Sequence, residues 1–478
     1  MASIGKPKFR VFVSAAMICL LNLGLQLSAQ SESGSPRLMQ GPMVGAVYEN
    51  EINIWVRTSG AFPVSIEYGT DRDLHAVQET EPVLASKSLD YTLVIKLKNA
   101  LPDTPYFYRV KVNGRYDRYT RELPPFQTKT APRSGAARNF RLAFGSCVRF
   151  QMNRIQPVWS TIHALAPDLF FWLGDNIYGD ATDPDILREE YRRQRDVHSL
   201  QPLLAGISNL AIWDDHDYGL NNHNRTHPGK AEALAVFKEY WANPSYGLED
   251  EPGVFFRHAH GQVDFFFLDG RYSRDPNKSS NDSSKSMLGK KQFEWLKAGL
   301  KNSRATFKLL ISGSGWTLAK GEAGDSWAAF LSERNALFDF IRDHAVSGVV
   351  LLSGDTHVGE LNVIPWSQNG GYDFYELASS PLSQRPSSAW LQRRPERRIR
   401  PVYAYGDNFG VIDFVFGDVP KLVFRLIDSG GRLAWEPLEV EAKELVNGVV
   451  SWPAKVDENE NARQENYEQG NGYYERID

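Results

Sequence analysis

Disulfide chemistry is the first thing this sequence leaves little room for, because its 478 residues include only two cysteines, Cys19 and Cys147. Cys19 lies inside an N-terminal apolar run, so removal of that run would leave Cys147 without a partner. A lone thiol in an exported chain is buried, reactive or a metal ligand. Basic excess is also missing. The formal net charge is -4 and the pI about 6.2, which argues against a nucleic-acid-binding surface. Beyond the N-terminus no stretch is apolar for long enough to span a bilayer. Aromatic residues are plentiful at 12%, with 12 Trp, and the length supports a core of two or three domains.

The first 29 residues read differently. Lys6, Lys8 and Arg10 precede an apolar run from Val11 to Leu27, and Ser28-Ala29 offers a small-residue cleavage point. That order is the one a secretory signal peptide needs. An uncleaved anchor is the alternative; the shortness of the run and the polar stretch from Gln30 to Pro36 favour cleavage. Met17-Ile18 before Cys19 does not suit a lipoprotein site, and no twin-arginine pair is present, so ordinary Sec export to a periplasmic or secreted destination is expected.

Residues 36–130 alternate with period two between turn signals, as in Glu51 to Val56, Val64 to Tyr68, Tyr91 to Leu97 and Tyr106 to Val112. This spacing predicts a small all-β domain, a sandwich of fibronectin type III or immunoglobulin-like character. A linker is expected from Lys129 to Asn139. Residues 138–440 then alternate apolar strand-like runs with amphipathic helical segments, such as Lys230 to Trp241 and Lys290 to Lys301. That is an α/β pattern with strands buried on both faces. Two strands after Gly410 are expected to close the domain, and residues 455–478, rich in Glu, Asn and Gln, read as a tail.

The chemistry sits where apolar runs end. Phe140 to Phe144 leads into Gly145-Ser146-Cys147, and Leu169 to Leu173 into Gly174-Asp175-Asn176-Ile177-Tyr178. Leu210 to Trp213 leads into Asp214-Asp215-His216-Asp217, and Val349 to Leu352 into Ser353-Gly354-Asp355-Thr356-His357. Ligands of α/β sheets bind beyond the carboxyl ends of the strands, so one rim is expected to gather a thiol, a phenol, two imidazoles and several carboxylates. Singly, each has a structural explanation: a packed thiol, a helix cap, a satisfied tyrosine. Together they repeat one pattern. Three carboxylates within four residues repel one another unless cations or solvent relieve them. Thiolate and phenolate suit a ferric ion, and carboxylates suit a hard cation. An aspartate shared by two ions holds them about 3.5–4 Å apart, the spacing of a two-metal clamp for hydrolysis.

These four motifs, in this order, resemble the alkaline phosphatase D (PhoD-like) family of metallophosphoesterases, relatives of purple acid phosphatases and calcineurin-like enzymes. Weaker echoes are Leu268-Asp269-Gly270-Arg271 and Glu376 to Pro381. The resemblance covers roughly residues 38 to 435 and implies a two-sheet metallophosphoesterase sandwich flanked by helices. It implies a ferric site from Cys147, Asp175, Tyr178 and His357. Asp175 would bridge to a second cation, for which the family suggests calcium, completed by Asp215 and Asp355. In this register Asp215 is the ligand and His216 the proton donor, with a slip to Asp214 left open. Arg271 is the candidate phosphate clamp, a surface salt bridge being its alternative. The implied reaction is in-line hydrolysis of a small phosphate ester. A phosphodiesterase or phospholipase D-like activity is the near alternative, and a non-catalytic cell-surface binding protein the distant one. The third motif continues as Tyr218-Gly219-Leu220-Asn221-Asn222, unlike the best-known members, so substrate preference is expected to differ.

Overall fold

Strands dominate the first part of the chain and alternate with helices in the second. The computed structural model describes residues 1, 2 and 34–460. Nearly all of the expected signal peptide, and residues 461–478 of the expected tail, lie outside these. The start of that tail is structured: Trp452–Lys455 is a 3-10 turn, and the Asp457 amide donates to Ile399 O at 3.0 Å.

Between residues 38 and 129 the elements are strands and one 3-10 turn at Lys87–Leu89. Leu38–Val47, Glu51–Thr58 and Thr92–Lys98 form one antiparallel sheet, and a second is built on Pro63–Gly69 and Pro105–Val112. Period-two patterning located most of these strands. It missed Leu38–Val47, which is buried along most of its length and packs beside the strand Ser208–Ile212. Ser208 Oγ donates to Gly45 O at 2.7 Å, the Ala46 amide to Ala242 O at 2.9 Å, and Trp55 Nε1 to Glu239 O at 2.7 Å. Phe126–Lys129 pairs with Pro105–Val112 in the second sheet, and the stretch expected to be a linker follows it without a strand until Phe140.

The second half is a two-sheet α/β sandwich. One sheet runs Ser208–Ile212, Leu169–Leu173, Phe140–Gly145, Asn408–Val415, Lys421–Asp428, Leu438–Glu441. Its first three strands are parallel and the rest antiparallel. The other centres on parallel Val263–Phe267, Phe307–Ile311, Val349–Ser353 and Phe374–Ala378. Every residue of Leu169–Leu173, Val263–Phe267 and Val349–Ser353 is buried, as strands covered on both faces require. The sheets meet through aromatic side chains. Phe171 lies 4.8 Å from both Phe265 and Phe267 in edge contacts, and Phe414 lies 5.9 Å from Phe307; such contacts add about 0.5–1.5 kcal/mol each beyond area burial. Parallel strands from both sheets end on the same side, and the polar motifs follow those ends.

Among the described residues, no helix is long and apolar enough to cross a membrane.

Candidate metal centre

Each motif leaves its strand through a sharp turn rather than a gradual loop. Cys147, Asp175, Asp355 and His357 all have positive φ, at 62°, 50°, 70° and 56°. L-residues enter that region at a cost, and such strain collects at functional sites. Two glycines let the turns close on one another. Gly174 has φ 95°, and a Cβ there would lie 2.6 Å from Asp214 Cβ; a Cβ on Gly354 would overlap Ser146. Ser146 Oγ accepts the Asp355 amide at 3.1 Å, and Ser380 Oγ accepts the His357 amide at 3.0 Å.

The result is a set of overlapping ligand groups. Ligand atoms of Cys147, Asp175 and His357 lie within 4.8 Å of one another, as do those of Asp175, Asp215 and His216. Asp175 belongs to both groups. Cys147 Sγ donates to Asp175 Oδ2 at 3.4 Å, and Tyr178 Oη lies 3.2 Å from His357 Nε2. A third group joins Asp214, Asp325 and Asp355. All six residues expected as ligands are therefore gathered on one rim.

The acidic corner resolves into three distinct roles. Asp217 turns back into the protein, accepting the amides of Asp214 and Asn176 and the Tyr191 hydroxyl, each at 3.1 Å. Asp214 takes Arg271 Nε at 2.5 Å. Asp215 accepts the Asn222 amide at 2.7 Å, so the loop that departs from the family pattern touches the site directly. Asp215 shares a group with Asp175, and Asp214 does not.

Arg271 differs from both expectations held for it. It is neither on the surface nor open to a ligand: its side chain is 0% exposed. Its guanidinium holds Asp214 and, through two nitrogens, Asp325 at 2.6 and 3.2 Å, with Asp215 at 3.7 Å. A fork saturated by carboxylates has no donor pair left for phosphate.

Several contributors were not among the expected site residues: Asp325 and Lys320 come from loops remote from the strand-end motifs, and Asp180 and Arg149 lie just past two of them. Asp325 binds Arg271 and also Arg274, at 2.7 Å. Lys320 donates to Asp355 and, at 3.2 Å, to Asp325 O. Asp180 meets His216 Nδ1 at 2.5 Å. Arg149 stacks its guanidinium 5.1 Å from the Tyr178 ring centre, and His216 packs on the same ring at 4.2 Å.

Burial sets the protonation of these groups. It pushes the Cys147 thiol up to about 11, raises Tyr178 well above an ordinary phenol, and raises Asp175 with help from Cys147 and Asp215. Asp214 rises to about 7 because burial outweighs Arg271. Asp215 goes the other way, Arg271 overcoming its burial. Burial opposes charge on His216, but the Asp180 hydrogen bond and the Asp175 and Asp215 charges lift it to about 10. His357 is lowered by burial, which keeps its imidazole neutral and able to donate a lone pair.

Two buried oxygens, Asp214 Oδ2 and Asp215 Oδ1, have no hydrogen-bond partner. Buried carboxylate oxygens without donors are costly unless a cation satisfies them. A thiol, a phenol, a neutral imidazole and carboxylates in overlapping groups fit a pair of metal ions by donor chemistry.

The profile of the PhoD-like phosphatase family matches residues 142–414, more than half of the chain, and that of the family's N-terminal domain matches residues 24–132. The chain belongs to the PhoD-like phosphatase family. Alkaline phosphatase D of Bacillus subtilis (strain 168) is 24% identical over 371 residues, covering 67% of this chain and 61% of that protein. The match thus spans less than two thirds of that relative. A solved structure of PhoD superposes with TM-score 0.69 at 19% identity, covering 89% of this chain and 96% of the other. A purple acid phosphatase from yellow lupin (Lupinus luteus) seeds gives 0.57 at 12% identity over 85% and 74%. These likenesses show the fold of the chain.

Proposed function

We propose that this PhoD-like chain is an exported phosphoric-ester hydrolase built around two cations. Ferric iron would be held by Cys147, Asp175, Tyr178 and His357. A second hard cation, calcium by family resemblance, would be held by Asp175, Asp215 and Asp355. The observation that carries the reading is the shared position of Asp175 between two ligand groups, beside an Asp215 oxygen that accepts no hydrogen bond. Bound there, the two ions would offset phosphate charge and lower the pKa of attacking water.

The chain's own groups supply the rest. His216, kept protonated by Asp180 and its acidic neighbours, is placed to give a proton to the departing alkoxide. Arg271 and Asp325 hold the acidic corner from behind, so Asp214 and Asp215 keep their positions without an ion. Export rests on the charged, apolar and small-residue order of residues 1–29.

The test is elemental analysis and hydrolysis with the purified protein. Iron with a visible charge-transfer band, and turnover of p-nitrophenyl phosphate that disappears on chelation, are the expected results. Cys147→Ser should lose iron, colour and turnover together; unchanged iron content would remove Cys147 from the site. Rates on bis-p-nitrophenyl phosphate measured beside the monoester decide between phosphatase and phosphodiesterase.

A further inference from the structure

Arg271 is consumed by carboxylates, which leaves the phosphate itself without its expected guanidinium. Arg149 has what Arg271 lacks. It stands two residues after Cys147, on a segment fixed from both sides: the Val148 amide donates to Asp175 O and the Arg149 amide to Ser383 O, both at 2.9 Å. The Met152 amide returns to Arg149 O at 3.0 Å and completes the turn. Its backbone is therefore tied to the Asp175 motif and to the segment just past Pro381.

Its side chain is half-buried against the Tyr178 ring, which His216 also touches. Among the described residues, no hydrogen bond or ion pair to a carboxylate engages that guanidinium, and its buried Nε has no acceptor. The Arg149 charge reaches Glu190, but that carboxylate is already taken by Arg193 at 2.7 Å and by Gln151. A desolvated guanidinium nitrogen without an acceptor is expensive to maintain. Beside a site built to attract phosphate, an oxyanion would satisfy it bidentately.

We propose that Arg149 is the substrate-binding guanidinium, gripping non-bridging phosphoryl oxygens of the ester beside Tyr178 and His216. This rests on the phosphoric-ester reading above and names one residue of its binding site. Neither the resemblance nor the strand-end pattern points to it.

The experiment compares Arg149→Gln and Arg149→Lys with the wild type, measuring inorganic phosphate affinity by calorimetry, kcat and KM on p-nitrophenyl phosphate, and iron content. Arg149→Gln should weaken phosphate binding and lower kcat/KM about ten- to hundredfold, the worth of a charge-assisted pair, with iron content unchanged. Arg149→Lys keeps the charge and the aliphatic stem, so it guards against a folding defect; losing only the fork, it should fall between the two. Phosphate affinity within twofold of wild type in both variants overturns the proposal. A loss that appears only together with lost iron also overturns it, since Arg149 would then merely position Tyr178. A wild type that hydrolyses neither ester sinks the phosphatase reading instead, and the calorimetric comparison still decides the role of Arg149.

Discussion

Replacing Arg271 with methionine separates a counter-ion from a phosphate clamp, because the two roles predict opposite losses. In the structure the guanidinium lies 2.5 Å from Asp214, 2.6 Å from Asp325 and 3.7 Å from Asp215, with no exposed surface. Removing one partner from a buried charge cluster costs about 3–5 kcal/mol, since the remaining charges stay buried without compensation. Asp325 would keep Arg274, whereas Asp214 would lose its only hydrogen-bonded cation among the described residues. The expected penalty is therefore about 3 kcal/mol, a large share of the roughly 5–15 kcal/mol that holds an ordinary domain folded. Urea unfolding of the metal-free protein measures it without reference to activity. Arg271→Lys should fall between, because one ammonium cannot serve Asp214 and both Asp325 oxygens. A methionine variant within 1 kcal/mol of wild type that had nonetheless lost phosphate affinity would refute the counter-ion assignment and restore Arg271 as the clamp.

Three further outcomes follow from specific contacts. Lys320→Met removes the ammonium that occupies Asp355, so calcium affinity measured by titration should rise about tenfold, the worth of one charge-assisted bond; unchanged affinity would take Asp355 out of the second cation site. Gly174→Ala forces a Cβ to within 2.6 Å of Asp214 at φ 95° and should cost about 2 kcal/mol or more in unfolding, with lower iron occupancy; normal occupancy would show that the turn has slack. His258 and His260 are held neutral by burial, down to about 4 and about 3 against an ordinary 6.5. The unfolded state binds more protons below pH 6.5, so stability falls as pH falls, by about 1.4 kcal/mol per histidine between pH 7.5 and 5.5. The double variant His258→Gln, His260→Gln should flatten that slope, and an unchanged slope would place the acid sensitivity elsewhere.

The strand-end motifs made the ligand rim legible, because strand polarity fixes where a parallel sheet delivers its polar residues. Fully buried strands such as Leu169–Leu173 announce themselves by uninterrupted apolar sequence. Leu38–Val47 did not, since its burial comes from packing beside Ser208–Ile212 and no local pattern encodes that partner. The helices from Lys230 and Lys290 begin where their amphipathic segments begin. In the site, the residues proposed as ligands were readable as strand-end motifs, and their supports were not. Asp325 and Lys320 reach it from loops whose sequences carry no strand ending, and only the fold brings them to Arg271 and Asp355. Arg271 shows the limit of a residue-type argument: guanidinium chemistry suits phosphate and carboxylate alike, and burial beside Asp214 decides which it meets.

The arrangement of supports has a consequence for how the centre is kept ready. Four residues of the proposed ligand set hold left-handed backbone geometry, and side-chain hydroxyls from Ser146 and Ser380 fix the amides of Asp355 and His357. Protein contacts that hold ligands in place lower the entropy lost when ions bind. The acidic corner would spread apart by mutual repulsion were it left alone. Arg271 and Lys320 prevent this by different routes, one fully enclosed and one at the rim where an arriving cation can displace it. A permanent counter-ion therefore belongs behind the ligands and an exchangeable one in front. On that division Asp214, paired with the enclosed arginine, would stay a scaffold, and Asp215 and Asp355 would be the carboxylates left for the proposed cation.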